Sequence, residues 1–197
     1  MSISTIIFWL VLLGLVIYVI SIYNSLVTLK NRYLNAFSQI EVQLKRRYDL
    51  IPNLVETAKA YMAHERETLE AVTAARNDAA AILKGMGNGN VDGAEIAKLA
   101  SAEGVLQGAL GKLNVTMEAY PDLKASDNFL ELQTALASVE DEIQMARRYY
   151  NGATRNLNIL VESFPSNLVA GAFGFATRDY FEIADADRAV PEVALGR

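Results

Sequence analysis

From Ile3 to Ile22 the chain reads ISTIIFWLVLLGLVIYVISI, and no Asp, Glu, Lys or Arg occurs before Lys30. Twenty residues rising about 1.5 Å each cover the roughly 30 Å hydrocarbon core of a bilayer as one helix. A secretory signal would need a basic leader, a shorter apolar core and a small-residue cleavage site. Only the α-amino group precedes the run as a positive charge, and YVISIYNSLV is a poor cleavage site, so the run is expected to stay as a transmembrane anchor over residues 1–23. Ile6, Phe8, Trp9, Leu12, Leu15, Ile17, Tyr18 and Ile20 then face lipid. Phe8 and Trp9 near one end, with Tyr18 and Tyr23 near the other, are candidate interfacial aromatics. Lys30, Arg32, Lys45, Arg46 and Arg47 all follow the run, which by the positive-inside rule favours a cytoplasmic domain. The last three lie beyond the usual reach of that rule, so a periplasmic domain stays open as the alternative.

The remaining composition removes most chemistry. There is no cysteine, and His64 is the only histidine, so thiolate nucleophiles, disulfides and His-rich zinc sites have no residues to use. AHERETLE lacks the second histidine of a zincin motif, and the glycines of 85–93 lack the phosphate-loop pattern and follow a helical stretch. No catalytic residue, metal or cofactor is expected. A net charge of -5 gives no general electrostatic reason to bind nucleic acid.

Beyond the anchor, Leu26, Leu29, Tyr33, Phe37, Ile40 and Leu44 recur every three or four residues, the spacing of one helix face. The pattern continues through Leu54, Ala58, Leu69, Val72, Ala75, Ala79 and Leu83 and stops in KGMGNGNVDG. Two further helical patterns span about 94–120 and 127–163, the second opening at Ser126 or Asp127. No stretch alternates with period two for long. The expected fold is all-α: an N-terminal transmembrane helix continuing into an antiparallel bundle of long helices over 24–163, followed by an aromatic-rich segment and acidic tail over 164–197.

Pro52 interrupts this pattern in KRRYDLIPNLVE. It cannot donate to the carbonyl of Tyr48, yet no glycine or cluster of polar turn residues accompanies it. The expectation is therefore a kinked but continuous rod to about Lys84, with Asp49 satisfying nearby backbone donors. A tight corner at 48–52 is the alternative. Gly104, Gly108 and Gly111, preceded by Ala97 and Ala100, form a small-residue strip on the third helix, read either as a close helix contact or as an intrinsically weak helix.

Three blocks carry a resemblance. YNSLVTLKNRYLNAFSQIEVQLKRRYDLIPNLVETAKAYMAHERETLEAVTAAR, ARRYYNGATRNLNILVESFPSNLVAGAFGF and YFEI resemble the LemA family of bacterial membrane proteins. The resemblance implies one N-terminal transmembrane helix and an α-helical domain in the bacterial inner membrane, with no established enzymatic activity, substrate or cofactor. One branch is similar to proteins of magnetosome membrane formation.

Two groups of residues are candidates for interaction. Lys45, Arg46, Arg47 and Asp49, with Arg147, Arg148 and Arg155, are able to hold anionic headgroups or an acidic helix. Pairing with Glu41, Asp49, Glu56, Glu140 or Glu142 on neighbouring helices is the favoured reading. Phe164, Phe173, Phe175, Tyr180 and Phe181 fall within a short segment whose only cation is Arg178, which favours packing on the bundle or on another copy over a lipid surface. Glu182, Asp185, Asp187 and Glu192, with Arg188 and Arg197, read as a solvated tail. The expected function is a non-enzymatic, membrane-anchored scaffold that self-assembles as a homo-oligomer in the lipid bilayer. A monomeric adaptor for another membrane protein complex is the alternative.

Overall fold

A computed structural model describes residues 2–86, 91 and 93–182. Its first helix, α1 (Ile3–Lys59), is uninterrupted over 57 residues, a length of about 85 Å at 1.5 Å per residue. The N-terminal part is long and apolar enough to cross a membrane, and none of its most apolar window is buried. From Leu26 onward the same helix becomes striped, burying Tyr33, Phe37, Ile40, Leu44, Ile51 and Leu54. All six described helices are α-helical in type, and no strand occurs among the described residues.

Pro52 lies inside α1 and does not end it. The Tyr48 carbonyl that Pro52 leaves without its helical donor accepts a hydrogen bond from Arg76 Nε at 2.9 Å. A buried carbonyl without a partner costs free energy comparable to a lost hydrogen bond. A side chain from the next helix therefore supports the interruption. Asp49 is exposed beside it, lining a shallow cleft with Arg76 and Lys84.

The expected rod to Lys84 is corrected here. The chain leaves the helix after Lys59, turns through 60–65 and re-enters as α2 (Arg66–Gly85). Nothing in AYMAHE is a glycine or a proline. The turn is held instead by contacts from outside it. Met62 is fully buried, its amide and that of Tyr61 both donate to the Ala58 carbonyl, and Tyr120 Oη donates to Glu65 Oε1 at 3.2 Å. Folding α2 back lets Leu69, Val72, Ala79 and Leu83 join the core, and leucine and valine side chains stabilise by about 1.5–3 kcal/mol each when fully buried. A few helical hydrogen bonds forgone in the turn are small beside that sum.

The chain continues through α3 (Gly93–Met117), the single turn α4 (Pro121–Lys124), α5 (Asp127–Glu162) and α6 (Ser166–Ala172). Ser126 occupies the N-cap position of α5 without a side-chain capping bond. Contacts fix the directions. Arg47 pairs with Glu140 while Tyr33 packs on Tyr150, so α5 runs opposite to α1. Tyr33 reaches the Val91 carbonyl, just before α3, and Tyr48 reaches Glu103, so α3 runs with α1. The four long helices thus alternate up and down.

Helix α1 packs along α5 and α2, and α2 along α3. Between α3 and α5 a groove of about 510 Å³ remains, walled by Leu110, Gly111, Leu136 and Ala137 and floored by Arg47 and Leu54. A Cβ on Gly108 or Gly111 would meet nothing within 4 Å. The close-contact reading of the glycine strip therefore does not hold at these two positions within the chain.

After α5 the chain turns at a cis Phe164–Pro165 bond, forms α6, and reverses at Gly174, whose φ of 71° lies in the left-handed region that glycine tolerates best. Residues 175–182 then run back along α5 as an extended strap. The acidic-tail positions Asp185, Asp187, Arg188, Glu192 and Arg197 lie outside the described residues.

Candidate functional site

Midway up the bundle the basic cluster divides. Lys45 and Arg46 are exposed; Lys45 Nζ lies 2.6 Å from Glu41 Oε1 and Arg46 contacts Gln43 Oε1 at 3.3 Å. Surface pairs one turn apart contribute only about 0.3–0.5 kcal/mol, so these cations remain available to an external anion. Arg47 is different. It is buried, pairs with Glu103 and reaches Glu140 Oε2 at 2.7 Å. Tyr48 Oη donates to the other oxygen of Glu103, and Gln144 Nε2 donates to Glu140 Oε1 at 3.2 Å. Burial pushes the Tyr48 phenol up to about 12, against the opposing pull of Arg47 and Arg76.

Glu103 is fully buried and was not singled out in the sequence. The signal was present: it stands one turn from both Leu99 and Leu106 on the apolar face of α3, where a carboxylate requires a partner. Arg47 supplies one from a helix 56 residues earlier, a pairing that no local pattern encodes.

Toward the apolar end of α1 the second basic cluster divides in the same way. Arg148 and Arg155 are exposed. Arg147 is buried; it donates to Gln144 Oε1 at 3.2 Å and lies 5.7 Å from the centroid of the Phe181 ring. Phe181 is fully buried against Tyr150, which in turn stacks on Tyr33 and Phe37. Burial also raises the Tyr150 phenol, with hydrogen bonding to Tyr33 adding to the effect.

Two asparagines, which the sequence reading passed over, hold the strap. Asn151 donates to the Phe181 carbonyl at 3.2 Å and accepts from its amide at 2.9 Å. Asn158 does the same with both backbone groups of Arg178, each at 2.8 Å. The spacing explains the match. Seven helical residues rise about 10.5 Å, and three extended residues span about 10 Å, so each amide meets one strap residue in register. Tyr150 Oη donates to the Asp179 carbonyl between them, at 3.0 Å. The Asp179 carboxylate comes so close to Gly93 that a Cβ there would lie 1.6 Å from its oxygen. The strap therefore closes against the start of α3, and a larger residue at Gly93 would have to displace the Asp179 carboxylate.

The five tail aromatics separate accordingly. Phe181 is core, and Phe175 is half-buried against Tyr23, with ring centroids 5.9 Å apart. Phe173 stacks on Tyr23 at 4.8 Å yet stays 58% exposed, Tyr180 is exposed, and Phe164 is 80% exposed. A further exposed apolar face, absent from the sequence-based candidates, lies on α1 and α5. Val42, Met145 and Tyr149 surround a cleft of about 550 Å³ with Gln39 and Glu142 at its rim. The membrane-facing candidates Ile6, Phe8, Trp9, Leu12, Leu15, Ile17, Tyr18 and Ile20 are all exposed on α1. Among the described residues, no group of three or more His, Asp or Glu side chains is placed to hold a metal ion.

Comparison with known proteins finds relatives along most of the chain. The chain is 28% identical over 177 residues to magnetosome protein MamQ 2 of Paramagnetospirillum magneticum, an alignment covering 81% of this chain and 64% of that protein. Magnetosome protein MamQ of Magnetospirillum gryphiswaldense is 28% identical over 174 residues with the same coverage. Protein LemA of Metamycoplasma hominis is 29% identical over 184 residues, covering 93% of this chain and 80% of that protein. The chain thus spans 64% of the length of the magnetosome relatives, and none of these three proteins is named as an enzyme. The LemA family pattern matches residues 36–195, from the bundle part of α1 past the strap, and the chain belongs to the LemA family.

Proposed function

We propose that this protein is a non-enzymatic, membrane-anchored helical scaffold that self-assembles at the bacterial inner membrane and contributes to membrane organisation. The observation that carries the reading is the continuity of α1. One 57-residue helix supplies both the exposed apolar segment and a wall of the bundle core, so the bundle cannot swivel freely on its anchor. Identical chains held this way share one plane and one orientation, and tethering raises the effective concentration of any lateral contact. The exposed apolar face of Val42, Met145 and Tyr149 points sideways from the α1/α5 pair, where a neighbouring copy would meet it. The magnetosome relatives support a role in organising membranes. The positive charges that follow the anchor favour a cytoplasmic bundle, with the periplasm as the alternative; protease accessibility in intact cells distinguishes the two.

The test is the size of the full chain in mild detergent, with and without cross-linker. Wild-type protein is expected to form oligomers, and Met145→Arg to shift them toward monomer while leaving helicity unchanged. A wild-type chain that stays monomeric at every concentration defeats the scaffold reading. The α3/α5 groove, with open space above Gly111, favours the adaptor reading in that event. A partner helix seated there would co-purify with the monomer.

A further inference from the structure

The α5–α6 elbow sits lower on α1 than a bundle standing clear of a membrane would allow. Val19 and Ile22 belong to the apolar run, yet Ile22 is buried and Val19 is partly buried against the core. Helix α6 packs on α1 and buries Val169 and Ala170. The antiparallel register set by Tyr33 and Tyr150 brings the end of α5, at Glu162, level with Ser21. The elbow that follows is therefore level with the last turns of the anchor, and the Tyr23–Phe173 stack ties the two together.

The exposed side of this elbow is apolar. Phe164, Leu168 and Phe173 are 80%, 65% and 58% exposed, and Glu162 is the one charged residue between Arg155 and Arg178. Cations appear where the register returns to the first charges of α1. Arg155 falls level with Thr28, next to Lys30 and Arg32, and Arg178 is bonded beside Asn158. Going up from the elbow, the order is bare aromatic and aliphatic side chains, then interfacial Tyr23, then positive charge. A bilayer presents the matching order of acyl chains, boundary and phosphate.

We infer that the α5–α6 elbow is a second membrane contact, in which Phe164, Leu168 and Phe173 insert into the boundary of the leaflet beside the anchor. The surface is continuous with the anchor, and its occupant is lipid. The protein then stands on two points, which sets the tilt of the bundle and displaces lipid on one side of the anchor only. This inference rests on the reading of residues 3–22 as a membrane anchor.

Because the chain has no cysteine, single cysteines at Leu13, Phe164, Leu168 and Val115 can each carry an environment-sensitive fluorophore. The full-length protein is reconstituted in vesicles of phosphatidylcholine and phosphatidylglycerol containing spin-labelled lipid. Emission at Leu13 is expected to be quenched by a label near the bilayer centre. At Phe164 and Leu168 it should be lost to a label near the headgroup, and at Val115, which is exposed far from the elbow, to neither. If Leu13 is quenched while Phe164 and Leu168 behave like Val115, the second contact is wrong and the anchor stands. If Leu13 is not quenched, both fall. If the elbow probes are shielded but unquenched, and lose that shielding when protein is diluted into excess lipid, another copy covers the elbow and the inference is overturned.

Discussion

Two layers of the bundle, about 20 Å apart along α1, are held by different means. The central layer encloses Arg47, Glu103, Tyr48 and part of Glu140, an ionic cluster shared among α1, α3 and α5. The layer nearer the apolar end encloses Tyr33, Phe37, Tyr150 and Phe181, closed by neutral amides from Asn151 and Asn158. In the first, each group is tolerable only while its partner is present, because a buried charge left alone costs several kcal/mol. In the second, apolar area does most of the stabilising and the amides decide where the strap lies. The ionic layer also joins α3 to α1 across the bundle, on a side where α3 and α5 leave a groove. Its value therefore lies in specifying which helices meet.

The largest test of this difference is Glu103→Ala, which leaves the buried Arg47 with only the partly exposed Glu140 and Tyr48 without its acceptor, and is expected to cost about 3–5 kcal/mol in chemical denaturation. Replacing both together, Arg47→Met with Glu103→Leu, should cost much less. Equal losses for the single and double variants would mean that the two charges are not coupled.

A smaller effect appears in alkali. The folded state holds Tyr48 as neutral phenol up to about 12, whereas an unfolded tyrosine loses its proton near 10. Below pH 10 both states keep the proton and the stability is fully present. Between 10 and 12 the unfolded chain binds fewer protons, so stability falls as pH rises, by at most about 1.4 kcal/mol per unit for this one group. Tyr48→Phe should reduce that slope without abolishing it, because Tyr150 in the other layer is shifted in the same direction. An unchanged slope would show that the Tyr48 phenol is not shielded from water.

The smallest expected effect is local. Asn158→Ala removes two neutral hydrogen bonds to the strap and should cost about 1–2 kcal/mol, with trypsin cleavage at Arg178 rising well before global unfolding. Cleavage unchanged from wild type would show that Phe181 alone holds the strap down.

Several elements were legible from local pattern because one local cause was decisive for each. The unrelieved apolar run, the helix face from Leu26 to Leu44 and the glycine-rich break after Lys84 each act over neighbouring residues. The passage of α1 through Pro52 also follows from the missing turn residues. The corner at 60–65 was not legible, because AYMAHE is compatible with helix and its break is enforced by Met62 and Glu65 meeting the core and Tyr120. Among the interaction candidates, Arg47, Arg147 and Phe181 turn inward while Arg46, Arg148, Arg155 and Phe164 stay outside. Charge and aromaticity alone do not separate these cases.

Periodicity and hydrophobicity are properties of neighbours along the chain, and they determined that this protein is built of long helices led by an apolar one. The partner of Glu103, the donor that satisfies the Tyr48 carbonyl, and the pairing of Asn151 and Asn158 with the strap were decided only in three dimensions. Each depends on a group tens of residues away in sequence, at hydrogen-bonding distance only after the helices have packed.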